Sequence, residues 1–550
     1  MPATNSPSKF PTEDLLEIND IQGNSLAGFN KDFQMLLFLK IHDRSIAKAW
    51  IRNIIPRIAT VAEVLMFNNL FRALRNRQGA DPQGLSATWI NIAFTYAGIQ
   101  KLVPAKDAEG FDPSDPFRLG MPTRSALIGD PIDPTAIGHP DRWVVGGTDA
   151  SKYPDLVLII ASDDPAHLNA EVTRIKSSIT APASSQGATD GLEIIFEQPG
   201  ATRPDLPGHE HFGFKDGISQ PGVRGRISKT AKDFFSARFI DPNAPAAARF
   251  AKPGQPLIWP GQFVLGYKMQ RNDDPIRPQR PLKLSPSWTK NGSFLVLRRL
   301  LQDVPAFWNF MEQTAAKLSQ QPGFATITPE ILAAKFVGRW KSGAPLMRTP
   351  IADRPDLAKD SLANNHFAYG ADTQKLPLIP IDGYPGDNFP PADSTTFGSG
   401  CPFAAHIRKV NPRDLGTDVG SASDTLTRLI LRRGIPFGSP LVDPLQPTAV
   451  ELAEERGLLF ISYQTSIENQ FEFVAQDWAN SELNPPIGGG HDPIIGQNQE
   501  QGNDRTRIFD LMGTDGSIET IEIPIDWVIP TGGGYFFSPS ISALNTVFGG

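Results

Sequence analysis

The chain has 550 residues, of which 40% are hydrophobic and 20% are charged, a balance typical of folded globular proteins. A net charge of −7 without a dense Lys/Arg block argues against a nucleic-acid surface. The one cysteine, Cys401, excludes an intramolecular disulfide and a cysteine-based zinc site. No apolar run reaches the length of a membrane span and the N-terminus lacks a signal-like pattern, so a cytoplasmic location is expected.

The N-terminal half has the element order of a ferredoxin-like unit. Short apolar or alternating runs predict strands, and apolar residues at helical spacing predict two helices between them. Pro56 is expected to kink or split the first helix. The order strand, helix, strand, strand, helix, strand is typical of helices packed on one face of an antiparallel sheet. The predicted strands are 35–41, 89–96, 156–160 and 192–197, and the helices are 45–64 and about 164–178.

The C-terminal half repeats this order with larger insertions. The recurrence predicts an α+β fold of two ferredoxin-like lobes, 1–225 and 226–550. A long Pro-, Gly- and Asp-rich stretch, 341–400, is typical of a functional or lobe-wrapping loop. Strands are predicted at 262–267, 293–298 and 458–463, with a closing pair at 508–511 and 518–523, and helices at 304–318, 328–340 and 466–479.

The stretch Glu210–Pro221 is the first candidate site. Gly213 and Gly217 flank Asp216 and allow a sharp bend with close approach of a ligand. A carboxylate held among apolar neighbours suits proton transfer, because its pKa tends to rise there. A turn with a surface aspartate is the alternative interpretation.

Two further residues have settings that suit haem chemistry. His406 stands among small and apolar residues followed by cations, as expected for an iron ligand with propionate partners nearby. A core histidine is the alternative, and Cys401 is a competing ligand that lacks a marked positive field. Arg432 leaves an apolar run before a Gly/Pro turn, where its guanidinium could stabilise a developing oxygen anion. A surface arginine at a helix end is the alternative for Arg432.

Taken in order, these stretches resemble the dye-decolorising peroxidase family, haem enzymes built from paired ferredoxin-like lobes. The resemblance covers nearly the whole chain and rests on five motifs in the family's order. The length and the N-terminus look like the larger, intracellular branch found in bacteria and cyanobacteria. The motifs are Asp20–Asn24, Glu210–Pro221, Val337–Pro345, Cys401–Lys409 and Arg432–Gly438.

The resemblance implies one haem b per chain, held in the second lobe near the seam between the lobes. It makes His406 the proximal iron ligand and Asp216 and Arg432 the distal pair. The carboxylate expected to accept a hydrogen bond from His406 Nδ1 is best matched by Asp492, with Glu468 as the second choice. It also places Arg413 and His211 near the haem propionates and puts Leu458 and Phe460 on the distal wall.

The implied reaction is the two-electron reduction of hydrogen peroxide at ferric haem. It gives oxoferryl haem with a porphyrin radical, which oxidises dyes, phenols or other aromatic donors in two single-electron steps. Asp216 would transfer the peroxide proton, and Arg432 would stabilise the charge as the O–O bond breaks. Some bacterial members carry Asn two residues after the distal arginine, where this chain has Gly434.

Two other classes of function are open at this point. A haem carrier, or a protein that releases iron from haem, would keep His406 but would not need Asp216 and Arg432. A hydrolase or metal enzyme could use Asp382 and Asp387, although no ligand set at metal-binding spacing supports it. The predicted partners are hydrogen peroxide and aromatic donors, without nucleic acid or membrane, and a homo-oligomer is compatible with this assignment.

Overall fold

The computed structural model describes residues 12–180, 191–225, 236, 251–252, 254–369, 389, 400–414, 420–485, 488–498 and 504–550. Asp382 and Asp387 lie outside these described residues. Eleven of its strands are used below. They are β1 (Phe33–Ile41), β2 (Thr88–Phe94), β3 (Leu156–Ser162), β4 (Leu192–Ala201), β5 (Ser293–Gln302), β6 (Leu431–Arg432), β7 (Ile435–Phe437), β8 (Gly457–Gln464), β9 (Arg507–Met512), β10 (Ile518–Ile523) and β11 (Val528–Ser538).

Both halves of the chain contribute to one antiparallel sheet. Within the described ranges its strand order is β6-β8-β5-β11-β2-β3-β1-β4, and β7 also pairs with β8. The N-terminal half supplies the order β4-β1-β3-β2 and the C-terminal half the order β11-β5-β8-β6, which is the same ferredoxin-like arrangement used twice. The two halves meet where Phe537 on β11 pairs with Phe94 on β2. The predicted α+β class with two ferredoxin-like lobes is confirmed, while the exact boundary at residue 225 stays a prediction.

The helices begin where the sequence provides caps. The predicted helix over 45–64 is split by a 3₁₀ turn at Ile55–Arg57, because Pro56 cannot continue the hydrogen-bond ladder. Asp303 and Thr328 accept hydrogen bonds from the backbone at the starts of the two helices that follow them. The longer helices are α1 (Arg44–Ile54), α2 (Val61–Gln78), α3 (Pro165–Thr180), α4 (Val304–Leu318) and α5 (Pro329–Val337), and the short α6 (His406–Lys409) follows.

Shorter elements complete the described part of the chain. The predicted helix over 466–479 forms two π-helical turns, Ile467–Glu472 and Val474–Ala479. Further short helices lie at Gly23–Leu26, Tyr96–Leu102, Ala105–Ala108, Pro116–Leu119, Met121–Arg124, Pro355–Lys359, Ala449–Ala453 and Ile541–Ala543, and two-residue strands lie at Gly222–Val223, Leu257–Ile258, Met269–Gln270 and Pro278–Gln279.

One strand prediction in the second lobe was wrong. Residues 262–267 form turns rather than a strand, and Gly266 adopts a φ of 97°. The predicted closing strands exist as β9 and β10, but they pair with each other in a separate hairpin. The strand that closes the lobe is β11, whose three central glycines weaken the strand signal in the sequence. Glycine is required there, since a Cβ at Gly533 would collide with the Leu297 carbonyl oxygen of β5.

The side chains of the sheet alternate between two hydrophobic cores. Leu37 and Leu39 of β1 pack in the core that contains Trp50 of α1 and Ile175 of α3. Their neighbours on β1 face the opposite core, which also holds residues of β5 and β8. A third core packs α4, α5 and the β9–β10 hairpin against the segment that precedes His406. In the described ranges no helix combines the length and apolar character needed to cross a bilayer.

Candidate active site

A cavity of about 350 Å³ lies between the Glu210–Pro221 stretch, the segment from His406 to Arg413, and β8. It brings together residues that are far apart in the sequence and that come from both lobes. Most of the candidate site residues line it: Asp216, His406, Arg413, Arg432, Leu458 and Phe460. Asp492 reaches the cavity only through His406, and His211 is not part of the lining.

Asp216 and Arg432 form a direct ion pair on one wall of this cavity. Arg432 Nη1 donates to Asp216 Oδ1 at 2.8 Å, and Nη2 donates to the Ser219 carbonyl oxygen at 3.1 Å. Gln220 and Arg432 also exchange two hydrogen bonds between the Gln220 amide group and the Arg432 backbone. The Glu210–Pro221 loop therefore holds Arg432 at three points and fixes it beside the carboxylate.

The charge of Asp216 is set by a competition between burial and its partners. Burial raises the pKa of Asp216, but the Arg432 guanidinium and the Gly217 N–H lower it by more, so its pKa lies below the usual value. The Gly217 N–H donates to Oδ1 at 2.6 Å, the same oxygen that faces Arg432. Within the described residues Oδ2 accepts no hydrogen bond, so this oxygen is left to receive a proton inside the cavity.

His406 lines the cavity with one ring nitrogen committed to a carboxylate. Its Nδ1 donates to Asp492 Oδ2 at 2.8 Å, and the Asp492 side chain is fully buried. Asp492 Oδ1 accepts from the backbone N–H groups of Ile494 and Ile495, which fixes the carboxylate. Burial lowers the pKa of His406, but Asp492 raises it by more, giving a more basic imidazole. Of the two predicted carboxylates, Asp492 and not Glu468 contacts the histidine.

The Val337–Pro345 motif explains how His406 is placed. Gly338 ends α5 with a φ of 91°, a conformation that favours glycine. A Cβ there would meet Ile407, the residue after His406, and would approach the Cys401 thiol. Cys401 itself is buried outside the cavity lining, and burial raises the pKa of its thiol, so it is not placed to compete as a ligand.

The buried guanidinium of Arg339 and the half-buried guanidinium of Arg413 stand together at one side of the cavity. Arg413 donates to the carbonyl oxygens of Asn365 and Phe367 and to the side chains of Ser219 and Asn365. Arg339, which no role was predicted for, shares the last two partners. Burial and the neighbouring Arg413 lower the pKa of Arg339 to about 9. All of these hydrogen-bond partners are uncharged, and the nearby Asp414 carboxylate offsets part of the charge of Arg413, so the two cations together leave a positive charge that suits an anionic ligand.

The apolar wall comes from alternate residues of β8. Leu458 and Phe460 point into the cavity, while Leu459 between them packs in the opposite core. Gly434 lines the same cavity, and a Cβ at this position would lie 2.8 Å from the Leu459 carbonyl oxygen. A side chain such as Asn could not be added there without moving the β8 backbone.

His211 is not among the residues that line the cavity, so its place near a haem propionate stays a prediction. Its Nε2 donates to the Phe437 carbonyl oxygen on β7 at 2.9 Å, and burial lowers its pKa to about 4. The ring is therefore neutral and contributes to the packing behind the Glu210–Pro221 loop. It is not among the groups that the structure gathers around the cavity.

The cavity combines two features of side-chain chemistry that haem peroxidases require. One is a histidine made basic by a buried carboxylate, and the other is a separate group that can transfer protons near an arginine. In the described part of the chain no cluster of three or more His, Cys, Asp or Glu could hold a metal ion on its own. The fold and the site thus define the class of haem peroxidases.

Comparison with known proteins agrees with this class. A sequence profile of the DyP dimeric alpha+beta barrel domain matches residues 20–193. A dye-decolorizing peroxidase of Mycetinis scorodonius is 31% identical over 540 residues, covering 97% of this chain and 88% of its own. The structure of an ancestral D-type dye decolorizing peroxidase superposes with a TM-score of 0.72 at 34% identity over 98% of this chain and all of that chain. The structure of a dye-decolorizing peroxidase in complex with 2,6-dimethoxyphenol superposes with a TM-score of 0.68 at 30% identity, again over 98% of this chain and all of that chain. The chain belongs to the dye-decolorizing peroxidase family.

Proposed function

We propose that this chain reduces hydrogen peroxide and oxidises aromatic donors at one haem b, held by His406 and served by Asp216 and Arg432. The observation that carries the proposal is the shared cavity, lined by both the carboxylate-bonded histidine and the Asp216–Arg432 pair. A haem carrier would need only the histidine and the apolar walls. The complex of a similar peroxidase with 2,6-dimethoxyphenol supports phenols as donors.

The residues of the cavity fit a haem group. His406 has its Nδ1 bonded to Asp492, which leaves Nε2 for iron. The positive charge of Arg339 and Arg413 matches the two carboxylates of haem, and their uncharged partners do not neutralise it. Apolar side chains cover the rest of the lining and would contact the porphyrin, among them Ile407, Val410, Leu458, Phe460, Ile494 and Ile495.

The protein residues supply proton transfer and charge. Haem bound here would supply the redox chemistry, in which peroxide accepts two electrons and each of two donor molecules gives up one electron. Asp216 Oδ2 accepts the proton of one peroxide oxygen and returns it to the other oxygen, which leaves as water. Arg432 keeps Asp216 ionised and stabilises the negative charge that develops as the O–O bond lengthens. His406 is held in one orientation by Asp492.

Absorption spectroscopy of the purified protein tests the proposal directly. A Soret band, a change in that band on adding hydrogen peroxide, and peroxide-dependent oxidation of 2,6-dimethoxyphenol are expected together. A Soret band without peroxide-dependent turnover would favour the haem carrier instead. The absence of any haem after expression with a haem precursor would contradict both functions.

Arg432→Leu is expected to move the acid limit of activity to higher pH. The ionised form of Asp216 is the active one, so activity is lost as the pH falls through the pKa of this group. Arg432 lowers that pKa, and its removal leaves burial to raise it. The pH dependence of the rate of reaction with peroxide, followed by stopped-flow, measures the shift. Arg432→Lys keeps the charge and should shift the limit less, and an unchanged limit in Arg432→Leu would contradict the role of Asp216.

A further inference from the structure

A second cavity, of about 530 Å³, also reaches the Asp216–Arg432 pair. Asp216, Arg432 and Leu458 line both cavities, so the two spaces meet at the distal pair. The rest of the described second wall comes from the stretch 24–34, from helix α2, from the residues around Lys252, and from residues within 202–221 and 431–436. Proton transfer on peroxide does not need these surroundings, and a volume of this size is ordinary for a small-molecule site.

The lining of the second cavity carries an excess of positive charge. Arg432 neutralises Asp216, and burial raises the pKa of Glu210, whose oxygens accept from the backbone N–H groups of Phe212 and Phe214. These two carboxylates therefore contribute little net negative charge. Among the described residues, the charged lining residues are the cations Lys31, Arg72, Lys252, Arg432 and Arg433 and the carboxylates Asp32, Glu210 and Asp216, and Lys31 is paired with Asp163 outside the lining.

Lys252 and Arg433 have no charged hydrogen-bond partner among the described residues. Arg433 donates to the carbonyl oxygens of Asn24 at 3.0 Å, Leu26 at 2.7 Å and Arg432 at 2.9 Å, all of them uncharged. Lys252 is in the lining, and its ammonium has no hydrogen-bond or ion-pair partner in the described part of the chain. The Lys252 side chain is exposed, and partial desolvation at the cavity wall together with the nearby charge of Arg433 lowers its pKa. Such a pair of cations favours an anion between or beside them.

The same cavity has an apolar surface that would accept a ring. Phe29 and Phe71 are the aromatic side chains in its lining. Aromatic and aliphatic walls with a few charged groups at one side are typical of sites for amphipathic small molecules. The other apolar lining residues are Leu26, Ala27, Leu65, Pro221, Leu431, Ile435, Pro436 and Leu458.

We propose that the second cavity binds aromatic electron donors that carry an anionic substituent, with Lys252 and Arg433 facing the anion. This inference rests on the proposed peroxidase function and adds to it a preference for anionic donors over neutral ones. The ring would lie toward Leu458 and the Asp216–Arg432 pair, where the two cavities meet. Lys252 then acts as a specificity residue that selects for charge and takes no part in proton transfer.

A matched pair of donors tests the charge preference. 2,6-Dimethoxyphenol is neutral, and 3,5-dimethoxy-4-hydroxybenzoate is the same phenol with a carboxylate opposite the hydroxyl. In the holoenzyme at low salt, Lys252→Gln should raise the ratio of KM for the benzoate to KM for the phenol by about fivefold, and Lys252→Glu by more, because the attraction becomes a repulsion. Salt should raise the wild-type ratio toward that of Lys252→Gln by screening the charge.

Lys106→Gln is the matched control, since Lys106 lies on the short helix Ala105–Ala108 and lines neither cavity. Its KM ratio should equal that of the wild type. An unchanged ratio in Lys252→Glu, or an equal rise in Lys106→Gln, would overturn the proposal. The Soret band and the thermal unfolding temperature of each variant show whether it is folded and loaded.

Binding without peroxide separates this inference from the peroxidase function. Calorimetry of the benzoate with the holoenzyme should give weaker binding for Lys252→Glu than for the wild type or Lys106→Gln. If this difference appears while neither donor is oxidised, the peroxidase proposal fails and the anion site stands. If both donors are oxidised normally while benzoate binding is identical in all variants, the anion site is rejected and the peroxidase proposal stands.

Discussion

Asp216→Asn is expected to bind haem normally and to react with hydrogen peroxide roughly 10²–10⁴ times more slowly than the wild type. The amide has the shape of the carboxylate and can still accept a hydrogen bond from Arg432, but it cannot take a proton at the position of Oδ2. Stopped-flow mixing with peroxide, followed at the Soret band, measures the rate constant. The effect should persist across the pH range, because no ionised group replaces the carboxylate.

Two comparisons make the Asp216 result specific. Asp216→Glu keeps an ionisable carboxylate and should recover part of the rate, whereas a defect in packing alone would not be relieved by a longer side chain. Asp112→Asn changes an exposed carboxylate that hydrogen-bonds with Ser114 and lies outside the cavity lining, and should react at the wild-type rate. A normal peroxide rate in Asp216→Asn would show that another group transfers the proton.

His406→Ala is expected to lose haem, lowering haem affinity by more than about 100-fold. The substitution removes the one imidazole of the cavity lining in the described ranges and leaves the buried Asp492 carboxylate without its partner. The ratio of Soret absorbance to protein absorbance after purification, followed by haem titration of the apoprotein, measures the loss. Added imidazole should restore part of the Soret band by occupying the vacated position.

Asp492→Asn is expected to lower haem affinity as His406→Ala does, but by less. The histidine remains, but the bond to its Nδ1 weakens, so haem affinity should fall by about 10–100-fold. His42→Ala is the control, because His42 is an exposed histidine that pairs with Glu193. Wild-type haem content in His406→Ala would contradict its assignment as the iron ligand, and equal loss in His42→Ala would indicate a general defect in folding.

Local patterns predicted the elements that local forces specify. Helix α4 has the predicted bounds because Asp303 caps it and its apolar residues recur at helical spacing. Strands β1, β3 and β8 were predicted because continuous or alternating apolar runs need burial on a sheet. The central strand β11 was not predicted, because its glycines have low strand propensity. Glycine is needed there since the β11 backbone lies in close contact with β5 and with Val145.

The candidate site likewise divides into residues that local patterns predicted and contacts that only the packing decided. His406, Asp216 and Arg432 were proposed from their settings and from a resemblance carried by five motifs. The sequence ranked Asp492 above Glu468 as the partner of His406 but could not decide between them, because the two carboxylates lie 86 and 62 residues from His406 along the chain. Arg339 was overlooked, although the Val337–Pro345 motif contains it.

The sequence by itself determined the class of fold, the family and the identity of the residues able to ligate iron or move a proton. These follow from periodicity, caps and short motifs, which act over a few residues. Only the tertiary structure decided which of them meet. It joined the Asp216 loop of one half to Arg432 and His406 of the other, bonded Asp492 to the histidine, and kept His211 out of the cavity lining. Such contacts depend on how two sheet halves and three hydrophobic cores pack together, a long-range outcome that no local pattern encodes.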